Sequence, residues 1–534
     1  MSVGEYDCIV AGAGSAGCAA AARLAGQGLS VLLLEAGGTN RGLYVRMPAG
    51  GMYLTRNKEY DWGFLTEPDP SRRDRIDYWP RGKGLGGTST INGMLFLRGQ
   101  RQDYDHWAQM GATGWTYDDV LPFFRKIERH DLGESELHGG SGPMSVRKQP
   151  RTILPVTNTF IEAAQQAGIP LNPDLNGASA EGVSLAPTNQ RFGRRHTSAF
   201  AYLDSAPKRF LHVLTNVAVR RVLFEEGRAV GVEFTRDDGT VDSARARKEV
   251  VLSGGTVGSP QILMLSGVGP GEHLQEHGIP VVADVSGVGK NLQDHVAAFN
   301  MYTVRCKTLN NYGGRFWKTF LGAQWMFLGS GHATTPGAQA VVFAKTQPES
   351  ETADVQLHLL TAGVDMGLGG KGLKRQSMVT IIANVCRPRA RGEITLRSAT
   401  PGDAPVIRHR LLDDPYDIKV LTDACRLGWK IMGEPPMAAQ VIERTLPNPA
   451  IESDADMEKH LRKTSMPIYH PVGTCRMGSG PDAVVDPKLR VNGVSGLRVA
   501  DASVMPALIS ANTHAASVMI GERVADFIGR DAAA

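Results

Sequence analysis

The residues best placed to do chemistry stand at the start of the chain. Gly12, Gly14 and Gly17 form a G-x-G-x-x-G turn between an apolar run at 6–10 and an alanine-rich stretch that opens at Ser15. A second apolar run, 31–34, ends on Glu35 and Ala36. Strand, glycine turn, helix, strand and acid in this register make a dinucleotide-binding βαβ unit. Gly12 permits the tight turn, Gly14 lets a pyrophosphate approach the backbone, and Gly17 lets the helix lie close on the sheet. The helix N-terminus offers unpaired N–H groups and a positive dipole end to phosphates. Glu35 is placed to accept hydrogen bonds from ribose hydroxyls. FAD and NAD both satisfy this pattern.

A second glycine cluster follows at 81–95, with Gly84 and Gly87 near its start and Asn92, Gly93, Met94 and Leu95 at its end. Such density lets backbone N–H groups converge on an anion or an electron-rich ring edge. A third glycine turn, 253–260, follows an apolar strand and places Pro260 near the start of a helix. Late in the chain come two imidazoles, His470 and His514. Alone, either is a better candidate for a structural histidine than for a catalytic one.

The elements around these residues divide the chain. Its 534 residues exceed one ordinary core, and 42% hydrophobic with 21% charged content suits a globular protein. The net charge of +4, with no basic block, argues against a nucleic-acid partner. Six scattered cysteines show no metal spacing and no disulfide framework. The first strand begins too early to leave room for a signal peptide, and no apolar run is long enough to span a membrane. A cytoplasmic protein is expected, with peripheral contact to the inner membrane left open. The apolar stretch 320–328 is read as core in preference to a membrane-touching patch.

Helical periodicity appears at 115–129, 156–167, 316–328, 417–431 and 515–528. Alternation at 210–234 predicts two strands joined at Glu226-Gly227. Short strands are expected at 248–252, 281–285, 340–344, 354–360 and 378–385. The fold class is α/β, α+β overall. A Rossmann-like dinucleotide domain built from 1–155, 191–296 and 464–534 carries a second domain, 297–463, of antiparallel sheet backed by helices. Residues 156–190 are an excursion toward that domain or a linker.

The motifs together resemble the glucose–methanol–choline family of FAD-dependent oxidoreductases. The stretch Gly82 to Asn92, continuing to Phe96, Gly99 and Asp105, resembles one family signature, and Gly255 to Gly269 resembles a second. Val288 to His295 and the ending around His470 and Asn512-Thr513-His514 match further. The resemblance implies FAD, with Gly12, Gly14, Gly17, Glu35 and Ala36 at its ADP half and the backbone of Val219 at the adenine. Asn92 to Leu95 run along the flavin ring, and Asp501 and Ala502 reach pyrophosphate and ribitol. Ile91 stands where some members link flavin through a histidine, so the FAD is expected to be non-covalent. The implied reaction oxidises an alcohol, primary and aliphatic or aromatic, by hydride transfer to flavin N5. His470 serves as base, with His514 beside it on the alcohol oxygen and Asn512 on the substrate. A quinone-like acceptor or O2 takes the electrons. A hydroxynitrile-lyase type of member, using the same cleft without net redox, is the alternative.

Overall fold

The computed structural model describes residues 2–148, 152–363, 374 and 376–533. Among them, two seven-stranded sheets organise the fold. The first begins with Ser2–Ala11, which pairs in parallel with Val31–Glu35 on one side and with Val241–Leu252 on the other. Leu211–Thr215 extends it beside Val31–Glu35, and Leu497–Val499 adds a parallel strand at Val250 to Leu252. The run Val31–Glu35 is buried at every position, as a strand covered on both faces must be. The helix Ser15–Gly26 packs on this sheet, and the last helix, His514–Ala533, packs on that helix. Gly17 is obligatory at this crossing, because a Cβ there would lie 1.9 Å from the Gly12 carbonyl oxygen.

The second sheet is antiparallel throughout. Its order runs Val441–Leu446, Val296–Val304, Met378–Val385, Val355–Leu360, Ala340–Ala344 and Gly182–Leu185, with Met466–Pro467 also on Val296–Val304. The helix Pro415–Gly433 packs on it and buries Val420, Leu421, Ala424 and Cys425. Each sheet has its own hydrophobic cluster.

Four local expectations differ from the structure. The 210–234 region holds three strands, because Asn216 takes a left-handed φ of 58° and separates Leu211–Thr215 from the hairpin Val217–Glu225/Arg228–Arg236. The strand expected at 281–285 shrinks to Ala283–Asp284. Pro260 lies inside the helix Gly255–Leu265, not near its start. A proline there leaves the carbonyl four residues back without its helical donor. The Thr474 hydroxyl supplies one, donating to the Thr256 carbonyl at 2.7 Å. The helix Arg315–Leu328 is not core: Trp325 is its buried residue, while Phe316, Phe327 and Leu328 are 73%, 80% and 69% exposed. Apolar spacing could not show which flank the body of the protein would cover.

A buried polar chain lies beside the first sheet. The Arg98 guanidinium pairs with Glu128, and His138 bridges Glu128 at 2.9 Å and Asp174 at 2.8 Å. Burial opposes charge on His138, but its hydrogen bonds to Asp174 and Glu128 outweigh that and raise its pKa to about 9. A group whose folded pKa exceeds its unfolded value of 6.5 stabilises fully below 6.5 and loses that stabilisation as pH rises through 9. The thermal midpoint should therefore fall between pH 7 and about pH 9.5. His138→Gln, which removes the titration, should flatten that slope in a pH series of melting curves. An unchanged slope would show that His138 is not the titrating group.

Candidate active site

A cavity of about 830 Å³ runs between the elements that carry the glycine turns. One end is lined by Gly12, Gly14, Ser15, Glu35, Ala36 and Val219, the other by Asn92 to Leu95, His470 and Asn512. Gly87, Asp501 and Ala502 lie along its wall. Gly17 and Gly84 act from behind. Gly17 seats the helix, and the Gly84 N–H donates to Glu35 at 2.9 Å.

Glu35 joins the two glycine segments. Its carboxylate also accepts from the N–H groups of Ala13 at 2.8 Å and Gly37 at 3.0 Å. A carboxylate has about four lone-pair sites, so these three bonds leave one for a hydroxyl in the cavity. The glycine loop is further fixed by Gly86 N–H on the Ala13 carbonyl. Its backbone crosses Gly14 so closely that a Cβ on Gly87 would lie 2.7 Å from the Gly14 Cα. Asp501 accepts from Gly255 N–H, Ser259 Oγ and Ser503 N–H, which ties the third glycine turn to the C-terminal segment. An elongated cavity, walled by backbone at one end and by imidazole and amide at the other, fits a dinucleotide whose reactive ring lies at the far end.

The far end is built from five chain segments. Tyr469 has a left-handed φ of 68°, and its carbonyl is held by Arg81 Nη2 at 2.7 Å. That strained turn presents His470, whose own N–H donates to Asp294 Oδ1 at 2.7 Å. His470 Nδ1 lies 2.9 Å from His295 Nδ1, and His470 Nε2 lies 2.9 Å from Asn512 Nδ2. His295 Nε2 lies 3.0 Å from the Cys386 carbonyl oxygen.

These contacts assign the protons. A carbonyl only accepts, so His295 carries its proton on Nε2. Burial pushes the His295 pKa down to about 4, so the ring is neutral and its Nδ1 is an acceptor. His470 therefore donates from Nδ1, which leaves Nε2 unprotonated, its lone pair accepting from Asn512 Nδ2. Burial, then the neighbouring His295, His358 and Arg81, hold His470 well below the usual imidazole range. His358 is likewise lowered to about 4 by burial. The cluster holds several imidazoles, all neutral at pH 7. Asn512 is itself oriented, because its Oδ1 accepts from Gln356 Nε2 at 3.4 Å.

The expected His470–His514 pair is not formed. His514 Nδ1 bonds Ser15 Oγ at 3.0 Å, and its ring stands edge-on to Phe96. It lies two residues beyond Asn512, where the last helix begins, and the helical backbone aims it at the opening of Ser15–Gly26. Burial and then the Arg195 charge lower its pKa to about 4. Asn512 takes the place beside His470 that had been given to His514. Sequence reasoning also passed over His295, although it closes the matched stretch Val288 to His295. Arg195 was missed as well: its Nη1 donates to Asn92 through the carbonyl at 2.7 Å and Oδ1 at 2.8 Å, fixing the segment that lines the cavity.

Two family models for GMC oxidoreductases match the chain, one over residues 6–297 and one over 388–521. The chain belongs to the GMC oxidoreductase family. It is an FAD-dependent enzyme acting on CH–OH donors. It is 40% identical over 533 residues to the oxygen-dependent choline dehydrogenase of Pseudomonas savastanoi pv. phaseolicola, covering 98% of this chain and 93% of that one. The corresponding protein of Sinorhizobium medicae is 38% identical over 528 residues, 98% and 95% of the two chains. Among solved structures, pyridoxine 4-oxidase from Mesorbium loti superposes with a TM-score of 0.88 at 29% identity, covering 97% of this chain and 98% of that one. A formate oxidase gives 0.91 at 25% identity over 99% of each.

If His295 sets the tautomer of His470, His295→Ala should slow anaerobic flavin bleaching by an alcohol about tenfold or more, at unchanged flavin content. His295→Gln, whose amide can both accept from His470 and donate to Cys386, should recover most of the rate. Equal rates in the wild type and His295→Ala would sink the assignment.

Proposed function

We propose that the protein oxidises an uncharged primary alcohol, aliphatic or aromatic, to the aldehyde, with His470 as the base. The observation that carries this reading is the unprotonated Nε2 of a neutral, buried His470 at the end of the cavity, which accepts from Asn512 Nδ2 at 2.9 Å. Alcohol oxidation removes a hydroxyl proton and a hydride from the adjacent carbon. FAD, when bound, supplies the hydride acceptor. His470 Nε2 takes the proton, and Asn512, 2.9 Å from it, is placed to hydrogen-bond the same hydroxyl oxygen. The imidazolium so formed is stabilised through His470 Nδ1–H on His295. Asp294, which accepts from His470 N–H, is pushed up to about 6 by burial and anchors the loop. The FAD is held without a covalent link, since Ile91 offers no nucleophile; acid precipitation should leave the yellow colour in solution.

The preference for an uncharged alcohol rests on the lining. Leu95, Ile468, Trp62, Phe64 and Leu65 line the cavity alongside His470 and Asn512. Among the described residues, the carboxylates of the lining are Glu35, Asp403 and Asp501. Glu35 and Asp501 are taken up by backbone and hydroxyl donors, and Asp403 lies on the surface. A quaternary ammonium would need an anion or a several-sided aromatic cage close to His470, whereas the lining's Trp62 and Phe64 rings stack on each other 6.0 Å apart. Choline, the substrate in the relatives' names, is the second reading. The lyase alternative gains no support from relatives and neighbours that are dehydrogenases and oxidases. Electrons leave to a quinone-like acceptor or to O2.

His470→Ala should retain FAD but slow anaerobic bleaching by about 10²-fold or more, the weight of a positioned base. A panel of alcohols scored the same way should rank neutral primary alcohols above choline. Reoxidation by air or by a quinone then separates the two acceptors. Normal bleaching by His470→Ala would remove the base assignment, and a choline preference would restore the second reading.

A further inference from the structure

The helix Arg315–Leu328 spends its apolar surface on solvent. It is tied to the body through Trp325, whose indole N–H donates to the Gly193 carbonyl at 2.8 Å, and through Tyr312, whose ring meets both Trp317 and His332. Phe316, Phe320, Phe327 and Leu328 lie away from that attachment, from 50% to 80% exposed. The Phe316 and Phe320 rings stack on each other, 6.4 Å apart.

The exposed surface does not end with the helix. Phe192, 71% exposed, lies against the helix C-terminus, where Gly193 and Gly329 have their backbones in contact. The segment 43–54 adjoins both. Leu43–Arg46 packs on Arg194–Arg195, and Pro48–Gly50 packs on His332–Thr334. It exposes Leu43, Tyr44 and Tyr53, each to nearly half of its surface, and the two tyrosine rings lie 5.1 Å apart. Three separate stretches of chain thus bring exposed aromatics together. Monomer surfaces of this kind mark an interaction site.

Charge identifies the partner. No Asp or Glu occurs between Asp294 and Glu349, between Glu181 and Asp204, or between Glu35 and Glu59. These intervals contain the whole patch, and they carry cations throughout. Arg315 and Lys318 are exposed within the helix itself, and Arg191 and Arg194 are exposed beside Phe192. For a chain whose net charge is only +4, three acid-free basic intervals meeting at one aromatic face is a local bias of sign. Aromatic side chains at the level of lipid headgroups, flanked by Lys and Arg, describe a helix lying in the plane of an anionic membrane surface. A basic patch or an apolar patch alone gives marginal binding, and the two together give stable attachment.

We propose that this face, centred on Arg315–Leu328, docks the enzyme on an anionic lipid bilayer. The face is connected to the cavity by short links. Arg195, next to Arg194, donates to the carbonyls of Pro48 and Ser89 and to Asn92. Gly337, shortly after His332–Thr334, donates its N–H to the Gly93 carbonyl at 3.1 Å. The segment along the far end of the cavity is therefore braced by the docked face, and an alcohol or acceptor dissolved in lipid would meet the enzyme beside its site.

The test is co-sedimentation of the FAD-loaded enzyme with vesicles of phosphatidylcholine alone or with about 30% phosphatidylglycerol. The wild type should bind the anionic vesicles, bind the neutral ones several-fold less, and release as salt rises. Phe316→Ser/Phe320→Ser/Phe327→Ser should lower the bound fraction about tenfold or more, and Arg315→Glu/Lys318→Glu should abolish the preference for anionic lipid. Both variants should keep wild-type flavin content and wild-type turnover of a water-soluble alcohol, which shows them folded. No binding by the wild type, or equal binding by the triple serine variant, overturns the proposal. So does a wild-type oligomer that the triple variant breaks into monomers, because the face would then be covered by a second copy of this chain.

Discussion

The arrangement at His470 depends on one backbone carbonyl. Cys386 O is an acceptor and nothing else, and His295 Nε2 lies 3.0 Å from it. From that point each proton follows: His295 donates to the carbonyl, His470 donates to His295, and Asn512 donates to His470. Burial removes the other states, since a charged imidazole at any step would stand in low dielectric without a carboxylate partner. The carbonyl follows the strand Met378–Val385 of the antiparallel sheet, whereas His470 and Asn512 come from segments packed on the parallel one. The basic lone pair therefore exists only when the two sheets are docked.

The opposite end of the cavity is built by the opposite principle. There, backbone N–H groups converge on Glu35 and the glycine loops lie on one another. Such contacts tolerate no side chain: a Cβ on Gly87 would meet Gly14, and one on Gly17 would meet Gly12. Recognition by backbone leaves a strong mark in sequence, because glycine is the only residue that fits. Recognition by imidazole and amide leaves a weak one, because histidine and asparagine serve many structural ends.

This difference decides what the sequence disclosed. The βαβ unit was legible from Gly12 to Glu35 because every part of it is local and periodic. The antiparallel sheet was legible as runs of apolar residues at 340–344, 354–360 and 378–385. The partner of His470 was not. Asn512 and His514 are two residues apart at the entry to a helix, and that offset turns one toward His470 and the other toward Ser15. Only the packing of the last helix on Ser15–Gly26 fixes the choice. Pro260 was placed at a helix start because proline usually belongs there. The Thr474 hydroxyl that makes an interior proline tolerable lies far along the chain.

The helix Arg315–Leu328 failed for another physical reason. Spacing reports that a helix has apolar residues, and core is the default destination for them. It does not report whether a second surface exists to bury them. Here the body of the protein covers Trp325 and leaves the flanking phenylalanines in water. Burial of each large apolar side chain is worth about 1.5–3 kcal/mol. A chain that folds two cores to completion and forgoes that gain at several adjacent positions has placed it where an external apolar phase can return it. The absence of any acid from the three intervals that meet there gives that phase a sign of charge. The same intervals include Asn92's clamp, Arg195, and the Gly337 strap on Gly93. Surface and site are thus two sides of the same stretches of chain: the buried Arg195 and the N–H of Gly337 hold the cavity segment, while their neighbours along the chain form the exposed face.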